Sequence, residues 1–494
     1  MTLADLLLDA GFSANAPSLP IKNLTDNAQK ADEGALLVCI RGARANGHDF
    51  APQAYEKGCR AFLAAEPLTL PDDAFVLTVP DTREALARLA DSFFGHPSRD
   101  LAVIGITGTK GKTTVASLLS QVLTKSGIPT GYVGTNGVRF GDTVRALSNT
   151  TPDPITLQKT LCEMRDCGMR AVALEVSSQA LYHHRVTGIR FDTTLFTNLY
   201  SDHVGQSEHP SAAHYKACKH RLFTDFPSRI SIFNADDANA AEMMQGAVAS
   251  RLLTYSAGAP ADYRAQSVTP TVKETGYGIS FELADNGHSV SLPSLGRFNA
   301  SNALAVLAVA HASFGLSVER IATVLSDAHV TGRTETVALP QKAYAVIDYA
   351  HNGESLFQLL TALREYNPHR LICLFGSVGE RSQLRRREMG DAAARLCDLA
   401  ILTSDNPGRE DPMTIIEEIA RSFESTKTPY LAIPDRAFAI QTALRLVSEG
   451  DILVLAGKGH EDYQLIGTEK RPFSDREALL RAIEALPKAC SFRT

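Results

Sequence analysis

Short apolar runs recur along the chain, separated by stretches long enough for a helix. Leu36–Ile40 and Ala61–Ala65 are the first two, with a polar, glycine-punctuated loop over 41–50 and a helical stretch from Ala51 to Lys57 between them. Thr82 to Phe94 carries apolar residues at helical spacing and stops at His96-Pro97-Ser98. The run Val103–Ile106 follows, then Ala171–Val176, Thr193–Asn198 and Ile230–Asn234. After Gly332 the pattern restarts with Ala343–Asp348, Leu371–Gly376, Leu399–Thr403 and Ile452–Ala456. Strands spaced by helix-length segments predict mostly parallel sheets joined by right-handed crossovers. Two stretches differ. Residues 263–290 alternate apolar and polar, which predicts a few antiparallel strands, and Ala300–Phe314 is an alanine- and leucine-rich helix ending at Gly315.

A chain of 494 residues exceeds what one core supports, so the expected count is about two to four domains. The breaks near 97 and 330 divide it into 1–97, 98–330 and 331–494: a small α/β domain, a larger central α/β domain and a second parallel α/β domain. Composition narrows the function classes. With 44% apolar and 21% charged residues the chain is an ordinary globular protein, and its net charge of -6 argues against a nucleic-acid partner. No apolar run reaches the length of a membrane span, and the start, Met1-Thr2-Leu3-Ala4-Asp5, lacks the basic opening of a signal peptide. The eight cysteines are scattered without a C-x-x-C pair, so structural zinc is not expected and a reducing, cytoplasmic setting is.

The chemistry starts where the Val103 strand ends. Gly108-Thr109-Lys110-Gly111-Lys112-Thr113-Thr114 links that strand to a helix beginning Val115-Ala116-Ser117. Strand, glycine loop and helix in this order cradle a phosphate, because glycines allow close approach and helix-start amides point at the anion. Lys112 supplies a mobile positive charge and the Thr113 hydroxyl suits magnesium. The longer loop form would need glycine at Ile106; the match is to the shorter G-x-x-G-K-T form. A nucleoside triphosphate is the expected ligand. Parallel sheets bind ligands at the carboxyl ends of their strands, which is where Glu175, Asn198, Asp202 and His203 stand. Magnesium wants hard oxygen ligands and is usually shared with phosphates, so Thr113, Glu175 and His203 are candidates to converge on a nucleotide-bound cation.

These motifs combine with others: Asn149-Thr150-Thr151-Pro152-Asp153, Glu175-Val176-Ser177-Ser178, and Tyr215 and Lys219 ahead of Leu222-Phe223. Together they resemble the Mur ligases, ATP-dependent amide-bond formers of peptidoglycan synthesis, and the resemblance runs nearly the whole chain. It implies three domains: an N-terminal α/β domain for a uridine-linked substrate, a central P-loop ATPase domain and a C-terminal Rossmann-like domain for the incoming amino acid. It implies a carbamylated Lys219 that helps hold the second of two magnesium ions. It also implies Asn302 near adenine, Arg333 on the terminal phosphate and Asp348 on the ribose. Members adding the third residue of the stem peptide fit best, on Asp405-Asn406-Pro407 and Gly457–Gln464. For them the incoming amino acid would meet Arg381, Asp405, Asn406, Gly457 and Glu461. The muramyl dipeptide would meet Asn149, Thr150, Thr151, Ser177, His183 and Arg185, and the uridine would meet Asn27 and Ala43-Arg44-Ala45. The catalytic set implied is Lys112, Lys219, His203 and Arg333, in a monomer with no membrane insertion. A folylpolyglutamate or cyanophycin synthetase, built on the same core, is the alternative.

Three positions depart from the family pattern. Asp26-Asn27-Ala28 stands where Asp-Ser-Arg is usual, and His183 replaces a common glutamine. Gly408 occupies the place of the arginine that clamps the distal carboxylate in diaminopimelate-adding members, with Arg409 one residue later. Arginine reads a carboxylate with two parallel hydrogen bonds, which glycine cannot do. The segment 202–209 also resembles certain lysine-adding enzymes. The amino acid is open between meso-diaminopimelate and L-lysine.

Overall fold

The structure is a computed structural model, and it describes residues 1–42, 45–200, 209–273, 276–380 and 383–486. The chain divides into two compact units, Met1–Tyr263 with Ala305–Ser317, and Arg264–Leu304 with Val318–Thr494.

The first unit holds two sheets. The N-terminal one has four parallel strands in the order Asn23–Thr25, Ala35–Val38, Ala61–Ala64 and Phe75–Thr78. Ala35–Val38 and Ala61–Ala64 are buried at every position, which is why they read as unbroken apolar runs. Leu86 and Leu89 of the helix Thr82–Phe93 pack with Leu36, Val38 and Leu63 on one face of this sheet. Asp81 caps that helix by accepting from the amides of Arg83 and Glu84, and its end is marked by left-handed Gly95 and His96.

The second sheet surrounds the glycine loop. Arg251–Ser256, Ile230–Asn234, Phe191–Phe196, Ala102–Thr107, Ala171–Glu175 and Thr130–Gly134 lie side by side and parallel. Gly137–Phe140 and Thr143–Arg145 continue it antiparallel. The strand leading to the glycine loop sits between Phe191–Phe196 and Ala171–Glu175; its own connection runs to Thr130–Gly134 on one side, while that of Phe191–Phe196 runs to Ile230–Asn234 on the other. That opens a crevice at the carboxyl ends of the strands, the place where such sheets bind ligands.

In the second unit, Tyr263–Lys273, Gly276–Leu283 and Ser289–Leu292 form the antiparallel strands that the alternation over 263–290 predicts. The C-terminal sheet runs Glu335–Leu339, Ala343–Asp348, Ile452–Ala456, Leu371–Phe375, Leu399–Leu402 and Tyr430–Ala432. Five strands are parallel. Glu335–Leu339, which precedes the apolar runs that predict this domain, is antiparallel. Only three residues, Pro340 to Lys342, separate it from its neighbour, and so short a turn joins antiparallel strands alone. With the N-terminal, central and C-terminal sheets, the molecule has a three-domain α/β architecture.

Candidate active site

The glycine loop is held by backbone and side-chain bonds from the strand Phe191–Phe196 and the residues after it. Thr197 Oγ1 donates to the Lys110 carbonyl at 2.7 Å, Asn198 Oδ1 accepts from the Lys110 amide at 2.8 Å, and the Asn198 carbonyl accepts from the Thr109 amide. Gly108 has φ +148° and a Cβ there would stand 1.9 Å from Thr197 Oγ1. Glycine at 108 therefore answers a packing demand of the loop as well as any demand of a ligand. Gly111, at φ +83°, starts the helix Lys112–Lys125.

Two lysines meet at one oxygen. Lys112 Nζ donates to the Gly108 carbonyl at 2.8 Å and to that of Thr109 at 3.1 Å. Lys219 Nζ, on the helix Ala212–Thr224, donates to the same Gly108 carbonyl at 2.9 Å. Lys219 is 1% exposed, and its ammonium lies 4.6 Å from the centre of the Tyr215 ring. Tyr215 in turn touches Thr109 through its hydroxyl at 3.1 Å. Thr114 lies one residue beyond the Thr113 hydroxyl, on the first turn of the helix.

Glu175 ends its strand fully buried. Its carboxylate accepts from Thr113 Oγ1 at 3.0 Å, Tyr132 OH at 2.7 Å, the Thr135 amide at 3.0 Å and Thr135 Oγ1 at 3.2 Å. A buried carboxylate is costly unless its lone pairs are used, and four donors use them. Tyr132 and Thr135 are absent from the sequence-based set, because only the adjacency of Thr130–Gly134 to Ala171–Glu175 brings them there. Glu175 and Thr113 present hard oxygens side by side at the loop, a donor set that fits magnesium. His203, the other expected ligand, lies outside the described residues.

Around the start of the short helix Ser178–Tyr182, the dipeptide candidates assemble. Thr151 Oγ1 donates to the Glu175 carbonyl at 2.8 Å and accepts from the Ser177 amide at 3.0 Å. Arg185 Nη1 donates to the Thr151 carbonyl at 2.9 Å, and Thr150 Oγ1 is 3.1 Å from Thr135 Oγ1. His183 sits next to them with its pKa pushed down from 6.5 to about 4, first by burial and then by the charges of Arg83 and Arg185. Asn149 is exposed and bonds to Ser148. Of the uridine candidates, Asn27 caps the turn Ala28–Lys30 and Ala45 is exposed, while Ala43 and Arg44 lie outside the described residues.

The second unit brings together most of the amino-acid candidates. Asn406 Nδ2 donates to Glu461 Oε2 at 2.9 Å, and Gly457 faces Asp405 so closely that a Cβ would stand 2.8 Å from Asp405 Oδ2. Fully buried Lys458, which the sequence-based set omits, ties them: Nζ reaches Glu461 Oε2 at 2.8 Å, Asn406 Oδ1 at 3.2 Å and Asp405 Oδ1 at 3.7 Å. Burial raises the Asp405 pKa, and Lys458 and Arg436 oppose that rise. Arg381 lies outside the described residues. The nucleotide candidates adjoin this set, the Gly457 amide donating to the Asp348 carbonyl at 3.1 Å. Asp348 accepts from the amides of Thr334 at 2.8 Å and Ala350 at 2.8 Å, the Arg333 guanidinium lies 4.8 Å from the centre of the Tyr349 ring, and Asn302 donates to Asn299 at 2.9 Å.

Three family models match successive stretches of the chain: "Mur ligase family, catalytic domain" over 20–94, "Mur ligase middle domain" over 106–310, and "Mur ligase, glutamate ligase domain" over 332–459. The chain is 36% identical over 513 aligned positions to a UDP-N-acetylmuramoyl-L-alanyl-D-glutamate--2,6-diaminopimelate ligase of Geobacter metallireducens, with 98% of this chain and 99% of that protein covered. The protein of the same name from Thermosynechococcus vestitus is 37% identical, with 98% of both covered. The chain belongs to the Mur ligase family.

As a Mur ligase it is an ATP-dependent ligase, which is what the glycine loop leads one to expect. A solved UDP-N-acetylmuramoyl-L-alanyl-D-glutamate--2,6-diaminopimelate ligase superposes with a TM-score of 0.71 at 26% identity, covering 98% of this chain and 99% of that one. A folylpolyglutamate synthase of Mycobacterium tuberculosis shares the fold at 17% identity and a TM-score of 0.61, but covers 76% of this Mur ligase. The full-length likeness to the diaminopimelate ligases disfavours the folylpolyglutamate alternative.

Proposed function

We propose that this Mur ligase joins the D-glutamate side-chain carboxylate of UDP-N-acetylmuramoyl-L-alanyl-D-glutamate to an amine of a diamino acid, with ATP as the energy source. The observation that carries this reading is the convergence of Lys112, Lys219, Thr113 and Glu175 on the glycine loop, with Thr151, Ser177 and Arg185 fixed to the end of the same Glu175 strand. The carboxylate oxygen attacks the γ-phosphorus and ADP leaves, giving an acyl phosphate. The amine then attacks the carbonyl carbon, and phosphate leaves as the amide forms and the nitrogen gives up its proton. Charge accumulates on phosphate oxygens in the first step, and Lys112 is placed to follow it. For Arg333 we infer a role on an anionic group of the nucleotide, supported by a buried Nε with no hydrogen-bond partner among the described residues.

Magnesium would be held by Thr113 and Glu175 and would neutralise phosphate charge. We infer that Lys219 works as a carbamate. Two ammonium groups on one carbonyl oxygen repel each other, and a carbamate removes one of those charges and offers oxygens instead. The set around Lys458 would take the amino acid's α-ammonium and carboxylate, with Arg381 as a further contact. Domain boundaries near 97 and 330 and a cytoplasmic setting complete the reading; the free thiols of Cys162 and Cys167 at the surface suit a reducing compartment.

The names of the relatives favour diaminopimelate as the amino acid. One observation favours L-lysine. Gly408 has φ +61°, where an arginine would be strained, and Arg409 beside it is exposed. Purified protein given ATP and the dipeptide nucleotide, then either amino acid, tests both readings by phosphate release. A diaminopimelate enzyme should prefer it by at least about tenfold in kcat/KM, because a paired carboxylate contributes 1.5–3 kcal/mol.

A further inference from the structure

Beside the glycine loop lies a cluster that the ligase chemistry does not use. His214 and Cys218 stand one turn apart on the helix Ala212–Thr224, the spacing that puts two side chains over one patch of helix surface. His209, 0% exposed, lies just before that helix. Its Nδ1 is 2.9 Å from His214 Nδ1, Cys218 Sγ is 3.7 Å from the same His214 nitrogen, and one donor atom from each of the three falls within 4.8 Å of the others. In tetrahedral zinc, with bonds of about 2.0–2.1 Å to nitrogen and about 2.3 Å to sulfur, neighbouring donors stand about 3.3 Å apart for two nitrogens and about 3.6 Å for nitrogen and sulfur. The two separations from His214 Nδ1, 2.9 Å to nitrogen and 3.7 Å to sulfur, lie near those values, and the third falls within 4.8 Å.

Their surroundings also suit a ligand set. His209 Nε2 lies 2.9 Å from Ser178 Oγ, an outer contact that fixes the ring and leaves Nδ1 facing His214. Tyr182 packs edge-on against His214 with ring centres 4.9 Å apart, and Tyr215 walls His209 at 5.3 Å. A hydrogen bond between the two imidazoles would explain their closeness, but not the thiol that stands against the same ring, 3.7 Å from Nδ1 and 3.9 Å from Nε2.

We propose that His209 Nδ1, His214 Nδ1 and Cys218 Sγ form a binding site for a borderline-soft divalent cation of the zinc type, with a fourth position open to water. Binding exchanges the thiol proton for the metal: a sulfur–metal bond forms and the proton passes to solvent. Magnesium is a poor occupant, since it requires oxygen ligands, so this site is chemically separate from the Thr113 and Glu175 oxygens. Lys219 follows Cys218 directly, and Tyr215 reaches Thr109, so a cation here would pin the start of the catalytic helix against the loop.

Cobalt(II) is the probe, because a thiolate on cobalt gives a charge-transfer band that oxygen ligands do not. Titrating the full chain with Co2+ under excess Mg2+ should produce that band with intense tetrahedral visible absorption, and Zn2+ should abolish both. Cys218→Ser should remove the charge-transfer band while its circular dichroism stays that of the parent, and His214→Ala should weaken Co2+ binding at least tenfold. Absence of the band in the parent chain, or its persistence in Cys218→Ser, would overturn the proposal. Neither result bears on the ligase activity, which is measured separately.

Discussion

Two lysines from different elements donate to the Gly108 carbonyl, and this crowding of charge makes them the sharpest single-residue tests. Lys112→Ala should lower ADP release in the presence of both substrates by about 100-fold or more, the scale for removing one donor to developing charge. Normal turnover in that variant would exclude Lys112 from the chemistry. Lys219→Ala should also lose turnover, with partial recovery on adding short carboxylic acids. Full activity without them would rule out the carbamate. His183 supplies a pH test. Its pKa falls to about 4 on folding from 6.5, so the unfolded chain holds the extra proton between those values and stability falls as pH drops from about 6.5 to about 4. Denaturant titrations of His183→Gln should show a shallower loss over that window than the parent chain. An identical loss would mean that other groups carry it.

At the scale of elements, the buried strands and the glycine loop were legible because their signals are local. Ala171–Glu175 is buried at every position and Glu175 simply terminates an apolar run. The strand Thr130–Gly134 was not legible, since Thr130-Gly131-Tyr132-Val133-Gly134 mixes small and polar residues, and burial against Ala171–Glu175 overrides that composition. Its partners for Glu175, Tyr132 and Thr135, were hidden with it. Lys458 was hidden for another reason: a lysine in a glycine-rich turn reads as exposed, yet Asp405 and Glu461 bury it as an ion-paired group. The site ends of two C-terminal strands depend on a similar pair. Arg436 donates to both Asp475 oxygens at 2.7 and 2.8 Å, and to the carbonyls of Ser404 and Ala456, beside Asp405 and Gly457. Both partners are fully buried, so Asp475→Ala leaves an uncompensated guanidinium and should cost about 3–5 kcal/mol in chemical denaturation. A change below about 1 kcal/mol would show that water or another acid replaces Asp475.

For the molecule as a whole, three α/β sheets with one nucleotide loop were readable from the alternation of apolar runs and helix-length segments. The antiparallel edge strand Glu335–Leu339 was not, because its half-buried positions blur the pattern. Motif order identified the reaction family, and the departure of Gly408 from the family pattern was legible too; the left-handed backbone at that position was not, because no motif encodes it. The most direct test of the account is phosphate release by the purified chain with ATP, magnesium and UDP-N-acetylmuramoyl-L-alanyl-D-glutamate, with meso-diaminopimelate, L-lysine or neither. Release should require the dipeptide nucleotide together with one of the two diamino acids, and should yield the tripeptide nucleotide. Release that ignores the dipeptide nucleotide, or none with either amino acid, would contradict it.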